Sequence, residues 1–226
     1  MSVWHLHILN ARNDLTRVLP DLRATVREAV ERAAEHADLP RFDVVIHTRQ
    51  GSERDVLPSI SGPGLIDLAV DPQRFDRKAM IRETVRALHR VIRRAGPGSG
   101  NSLGDALVGE GLAGHFVLQV LGGRPESIET MTPAEGVARR AMAEWSRLSF
   151  DPGEWFLGRG KLRKGTGQAL GFKLVETHLA NAPGETAISL AAARSDSFRE
   201  VMRAMAKADA EEPAEPTDPE DGKKLD

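Results

Sequence analysis

Two arginines one helical turn apart, with a glutamate twenty residues further on, are the side chains in this sequence best placed to do chemistry together. Arg86 and Arg90 bracket Ala87-Leu88-His89, and Glu110 opens Glu110-Gly111-Leu112-Ala113. A guanidinium stays protonated and offers donors only, so two of them facing one carboxylate make a bidentate ion-pair cluster rather than a set of metal ligands. His89 and His115 are alternative donors in the same stretch, although at about 100° per residue His89 points away from both arginines. His5 and His7 share one side of an alternating segment and could in principle hold a metal; a solvated strand face is the simpler reading. A fourth group, Gly158-Arg159-Gly160-Lys161-Leu162-Arg163-Lys164-Gly165-Thr166-Gly167, is basic and Gly-rich. It lacks the lysine that follows the last glycine of a Walker loop. Its four cations could hold an anion or bias a groove, and a solvated loop is the plainer alternative.

These groups need elements to position them. Val3 to Leu9 alternates with period two, as a half-buried strand does. A helix follows from Pro20 to about Ala37, with Leu22, Val26, Ala29, Val30 and Ala33 on one stripe. Asp43 to His47 and Leu65 to Val70 read as two more strands, the second preceded by a Gly62-Pro63-Gly64 turn and ended by Asp71-Pro72. Asp76 is an N-cap for a helix to Arg94 whose apolar stripe is Ile81, Val85, Leu88 and Ile92. On that helix alone, Glu83, Arg86 and Arg90 would make an ordinary solvent-facing ridge.

The next helix, Ser102 to Val120, changes that reading. Ser102 and Asp105 form a capping-box-like start. Leu103, Leu107, Glu110, Gly114 and Val117 share a face, and Val108, Leu112 and Phe116 make the opposite face apolar too. Glu110 is therefore expected to be buried, where a carboxylate requires a metal, a cation or strong hydrogen bonds. Glycines at 104, 109, 111 and 114 weaken the helix and imply close approach of another backbone. Thr132-Pro133-Ala134-Glu135 predicts a helix running to about Leu148, with a loop over Ser149 to Gly153. Gln168 to Leu179 and Ser197 to Lys207 predict two more helices.

Composition narrows the classes. The sequence contains 31 basic and 33 acidic residues and no cysteine, which excludes disulfides and thiolate metal sites. Eight acids and two lysines fall between Ala208 and Asp226, so the rest, with 29 bases and 25 acids, carries +4. Residues 208–226 read as an acidic, Pro-rich disordered tail, a solubiliser or a screen for the basic loop, and 1–207 as one domain. Aromatics are only 4%, and with no base-stacking platform visible nucleic acid is a poor match. The N-terminus lacks the pattern of a signal peptide, and no apolar run approaches the ~18 residues of a membrane helix. A cytoplasmic protein is the expectation.

Several of these segments, in this order, resemble a bacterial family of predicted zinc-dependent proteases. Such proteins carry a G-x-I-x-L-x-x-x-P-like strand, then H-E-x-x-H on one helix, E-G-L-A on the next and a late Gly-x-x-Leu-Gly-aromatic helix. The counterparts here are Gly64 to Pro72, the Arg86 to Arg90 helix, Glu110 to Ala113, and Gly167-Gln168-Ala169-Leu170-Gly171-Phe172. The resemblance implies an α+β, zincin-like (gluzincin-type) fold: a small N-terminal mixed sheet, then a mostly helical C-terminal half. It also implies that Arg86 and Arg90 stand where two zinc histidines would be, and Ala87 where the catalytic glutamate would be. Only Glu110, the third ligand, is retained. Gln168 and Phe172 stand where relatives would be expected to have tyrosines.

The expected function is that of a zinc-metallopeptidase-like protein without catalytic residues and with no cofactor. Arg86 and Arg90 would give Glu110 the positive partners that zinc supplies in the family, and a peptide or protein could occupy the former substrate groove. Two alternatives remain open at this point. One is a metal-dependent peptidase with non-standard ligands such as His89, His115 and Glu110; the other is an anion- or nucleic-acid-binding module built on the 158–167 loop.

Overall fold

The structure, a computed structural model, describes residues 3–49 and 56–211. A four-stranded sheet stands at the N-terminal end, in the order β1 (Trp4–Leu9), β2 (Phe42–Thr48), β4 (Leu65–Val70), β3 (Val56–Gly62). β1, β2 and β4 run parallel, and β3 pairs antiparallel with β4 as an edge strand. Helix α1 (Leu19–Ala34) is the crossover that parallel neighbours β1 and β2 require. Val44, Ile46, Ile66, Leu68 and Val70 form the buried side of the sheet. α1 packs against α2 (Arg77–Ala95), and α2 in turn meets β3 and β4.

The sequence reading has no β3. Val56-Leu57-Pro58-Ser59-Ile60 holds a proline, which removes a ladder donor and is confined to edges and bulges, and β3 is an edge. The Gly62-Pro63-Gly64 turn therefore closes a hairpin. Gly64 adopts φ +66, and a Cβ there would lie 2.8 Å from the Arg41 carbonyl oxygen, so glycine is required on both counts.

The C-terminal half is helical and is organised on α3 (Leu103–Leu121) and α6 (Thr166–Asn181). Asp76 caps α2 by accepting from the Ala79 N–H at 2.9 Å, and Ser102 caps α3 in a reciprocal box with Asp105. The glycines expected to permit a close backbone do so at Gly111, where a Cβ would stand 2.1 Å from the Gly171 carbonyl oxygen. Gly104 instead faces the Trp145 indole, Gly114 faces the Glu129 carboxylate, and Gly109 has only Arg93 atoms, none nearer than 3.8 Å.

Several boundaries differ from the sequence reading. The helix expected from Thr132 to Leu148 shrinks to α4 (Val137–Ala143). Gly136 takes φ +80 before it, and the Asp209 carboxylate accepts the Gly136 and Arg139 N–H groups at 2.9 and 3.2 Å in place of a Thr132 cap. At its other end, the Trp145 and Arg147 carbonyls leave the helix to accept from Gly104 and Leu103, the first amides of α3. The expected loop at 149–153 runs into a short α5 (Pro152–Leu157), capped by Asp151. α7 (Arg199–Glu211) continues past the expected domain boundary at 207. The tail expected to be disordered lies, beyond Glu211, outside the described residues.

Candidate functional site

α2 and α3 face one another, and their contact presents the residues singled out by type and spacing. Arg90 grips Glu110 with two parallel bonds, Nε to Oε1 at 3.1 Å and Nη2 to Oε2 at 2.8 Å. This is the fork-to-carboxylate geometry that a guanidinium allows and an ammonium does not. The pair is not dry: the two side chains retain 23% and 21% of their exposure. Glu110, expected to be buried, is only partly so, and the preceding Gly109 is half-buried as well.

Arg86 takes different partners, which corrects the expectation that both arginines bind Glu110. Its Nη2 donates to Glu129 Oε1 at 2.8 Å and to Glu126 Oε2 at 3.1 Å, and its Nε lies 3.7 Å from Glu83. Arg86 and Glu129 are nearly sealed, with side-chain exposures of 6% and 2%. Glu129 also accepts the Glu126 N–H at 2.8 Å through its second oxygen. Burial alone would loosen the Arg86 proton, but the fields of Glu83, Glu129 and Glu110, with the hydrogen bond to Glu129, outweigh it and raise the pKa above the usual arginine value. Arg86 is thus a permanent buried cation, not part of a solvated ridge.

Glu126 and Glu129 are the site residues that sequence reasoning missed. They lie in the irregular segment between α3 and α4, where no periodicity marks a buried side chain. One signal pointed to Glu129. A Cβ on Gly114 would lie 2.5 Å from Glu129 Oε1, so the glycine on the Glu110 face makes room for this carboxylate.

The histidines go elsewhere. His89 is fully buried, with Nε2 3.2 Å from the Ala187 carbonyl oxygen and its ring against Phe116. Burial, opposed by that hydrogen bond and helped by Arg93 and Arg90, pushes its pKa down to about 4, so the ring is neutral. His115 places Nε2 3.1 Å from the Phe172 carbonyl oxygen and stacks on that ring at 4.1 Å; burial lowers its pKa as well. Gln168, on α6, has a buried Oε1 with no hydrogen-bond partner among the described residues. His5 and His7 flank Asp43 at 3.1 and 3.9 Å on an exposed part of the sheet.

This donor set does not fit a zinc ion. Arg86 and Arg90 have no lone pair to give, Ala87 has no functional group, and Glu110 is already held at both oxygens by Arg90. Among the described residues, no three His, Cys, Asp or Glu side chains are grouped to hold a metal ion. What the arrangement does is tie α2 to α3 through Arg90 and Glu110, and α2 to the 126–129 segment through Arg86, sealed on the Arg86 side. Beside it, a cavity of about 370 Å³ lies between the 125–133 segment and α6 and shares Glu129 with the network. Met131, Pro133, Ala169 and Phe172 line it with apolar surface, and Lys173 and Glu176 add charge.

A family model described as "Predicted Zn-dependent protease (DUF2268)" matches residues 22–199, a span that contains every group described above except His5 and His7. Comparison with curated proteins and with solved structures returns no match. No helix among the described residues is long and apolar enough to cross a membrane.

Proposed function

Because the chain belongs to the family of predicted Zn-dependent proteases, we propose that it is a member in which an ion-pair network has replaced the metal site, leaving a peptide-binding protein without hydrolytic activity. The observation that carries this reading is the bidentate Arg90–Glu110 pair. The resemblance gives Glu110 the role of third zinc ligand, and here both of its oxygens are engaged by a cation one helix away. A guanidinium supplies positive charge and directional donors but no site for a bound water, and Ala87 supplies no general base. On this reading the frame is zincin-like, and the chemistry it once positioned is absent.

Two features favour a peptide as ligand. β3 is an edge strand whose outer side has no strand partner among the described residues, an edge on which an extended chain can pair, although its Ile60 carbonyl accepts from Arg94 at 3.0 Å. The cavity beside Glu129, of about 370 Å³, lies within the size range of a ligand pocket. The alternative with His89, His115 and Glu110 as ligands has no such support, since among the described residues no three His, Cys, Asp or Glu side chains are grouped to hold a metal ion.

Metal analysis of protein purified without chelator tests the reading directly. The expected content is well below one zinc per chain, and one tightly held zinc per chain overturns it. The combined variant Arg86→His, Ala87→Glu, Arg90→His tests the frame. A zincin-like backbone would give that variant zinc affinity which the parent lacks.

A further inference from the structure

We propose that the exposed basic loop between α5 and α6 is a docking surface for the chain's own acidic C-terminal segment, residues 212–226. Arg159, Lys161, Arg163 and Lys164 are all exposed and fall within six consecutive positions. The loop feeds directly into α6, whose N-cap, Gly165, makes no side-chain capping bond and whose first turn holds no acidic residue. The positive end of that helix dipole therefore adds to the field of the loop. Neither the ion-pair network nor the cavity beside Glu129 uses these cations.

The position of the end of α7 selects the occupant. Asp209 accepts the backbone N–H groups of Gly136 and Arg139. The next residue, Arg140, holds Glu154 with two bonds of 3.0 and 2.8 Å. Glu154 in turn touches the loop: a Cβ on Gly160 would lie 2.9 Å from its Cγ, and Arg140 first, with the Lys161 backbone and ammonium among the lesser causes, draws its pKa down. The last described turn of the chain is thus tied through two neighbouring arginines and one glutamate to the loop itself. Fifteen further residues follow, holding six acids and two lysines. Extended, they reach on the order of 50 Å, far more than this separation needs. Tethering so close to an oppositely charged loop gives the segment an effective concentration on the order of millimolar, which a free polyanion would have to exceed. The tail then acts as a screen that keeps other acidic partners off the loop.

Carbodiimide coupling of the full-length chain at low salt, read by mass spectrometry, tests the contact. The expected products are amides joining Lys161 or Lys164 to carboxylates of Glu215 to Asp221 within one chain, strongly reduced at about 0.5 M NaCl. Lys78, on α2, serves as the reference amine. Tail carboxylates that couple to Lys78 as often as to the loop lysines, or only between chains, overturn the proposal. Heparin, as a polyanion probe, supplies the second measurement. Neutralising the tail in the full chain (E212Q, E215Q, D218N, E220Q, D221N) should raise the eluting salt concentration. Adding R159Q, K161Q, R163Q and K164Q should abolish that rise. Unchanged elution of the tail variant, or a rise that survives loss of the loop cations, also overturns it.

Discussion

Replacing Glu129 by glutamine should destabilise the fold more than the same change at Glu110, although Glu110 is the residue to which the family resemblance assigns a role. The argument rests on solvent. Arg86 and Glu129 keep 6% and 2% side-chain exposure, whereas Arg90 and Glu110 keep 23% and 21%. A glutamine at 129 retains the shape that Gly114 accommodates, but it cannot offer acceptors to both Arg86 and the Glu126 N–H, which Glu129 binds at 2.8 Å each. The Arg86 cation then remains buried with Glu126 and Glu83 at 3.1 and 3.7 Å as its other close anions. Removing one partner of a buried pair costs about 3–5 kcal/mol, and the remaining carboxylates and unchanged shape place Glu129→Gln near the lower end, about 3 kcal/mol. At Glu110 the unpaired Arg90 can be rehydrated, so the cost falls to about 1 kcal/mol. Urea unfolding of the two variants and the parent, with the slope checked for constancy, measures both values. A Glu110→Gln loss equal to or larger than that at Glu129 would refute the assignment of the sealed pair.

Three further outcomes follow from the geometry. His89 has a folded pKa near 4 against 6.5 for the free side chain; because the unfolded chain binds the proton first, stability is complete above pH 6.5 and declines by about 3 kcal/mol as pH falls toward 4. Urea midpoints across that range should show the decline in the parent and a shallower one in His89→Phe. Gly111→Ala should cost about 3 kcal/mol, because the new Cβ would stand 2.1 Å from the Gly171 carbonyl. Gly109→Ala, with no atom nearer than 3.8 Å, should instead stabilise by about 0.5–1 kcal/mol, and thermal melts of the pair decide the order. Asp209→Ala removes the acceptor for two amides at the start of α4 and should lower stability by about 1 kcal/mol, a loss that chemical denaturation resolves.

Elements with strong periodicity and clear caps are legible in the sequence. α2 and α3 begin at Asp76 and Ser102 because each has a side chain whose oxygen accepts an amide of the first turn, which is a local event. β3 is hidden because proline and serine break its pattern, and only its edge position makes that composition acceptable. The start of α4 is misread because a good local signal at Thr132 loses to a distant one, the carboxylate of Asp209 on α7. The α+β class and the order of the segments are legible for the same reason as the caps. The pairing of charges is not. Helical spacing fixes which face Arg86 and Arg90 share, but it contains no information about Glu126 and Glu129, which reach the site from an irregular segment.

That separation of the arginines alters how the frame must be tested. In the triple variant, Arg86→His removes the cation from Glu129, a carboxylate with 2% exposure and a glycine behind it. Without a counter-ion, such a group is costly or takes up a proton, and the variant can fail by unfolding before zinc has been offered. Adding Glu129→Gln to the triple variant removes the stranded charge while leaving an amide oxygen within reach of the Glu126 N–H. The four-fold variant should therefore be more stable than the triple, although Glu129→Gln alone is destabilising. This non-additivity is the signature of neighbours sharing one interaction, and a thermodynamic cycle measures it. Zinc titration of the four-fold variant then isolates the geometric question. If that variant folds, keeps Glu110 and still binds no zinc, α2 and α3 do not converge as a zincin requires. Zinc binding there, against none in the parent, would attribute the difference to the three substituted side chains on α2.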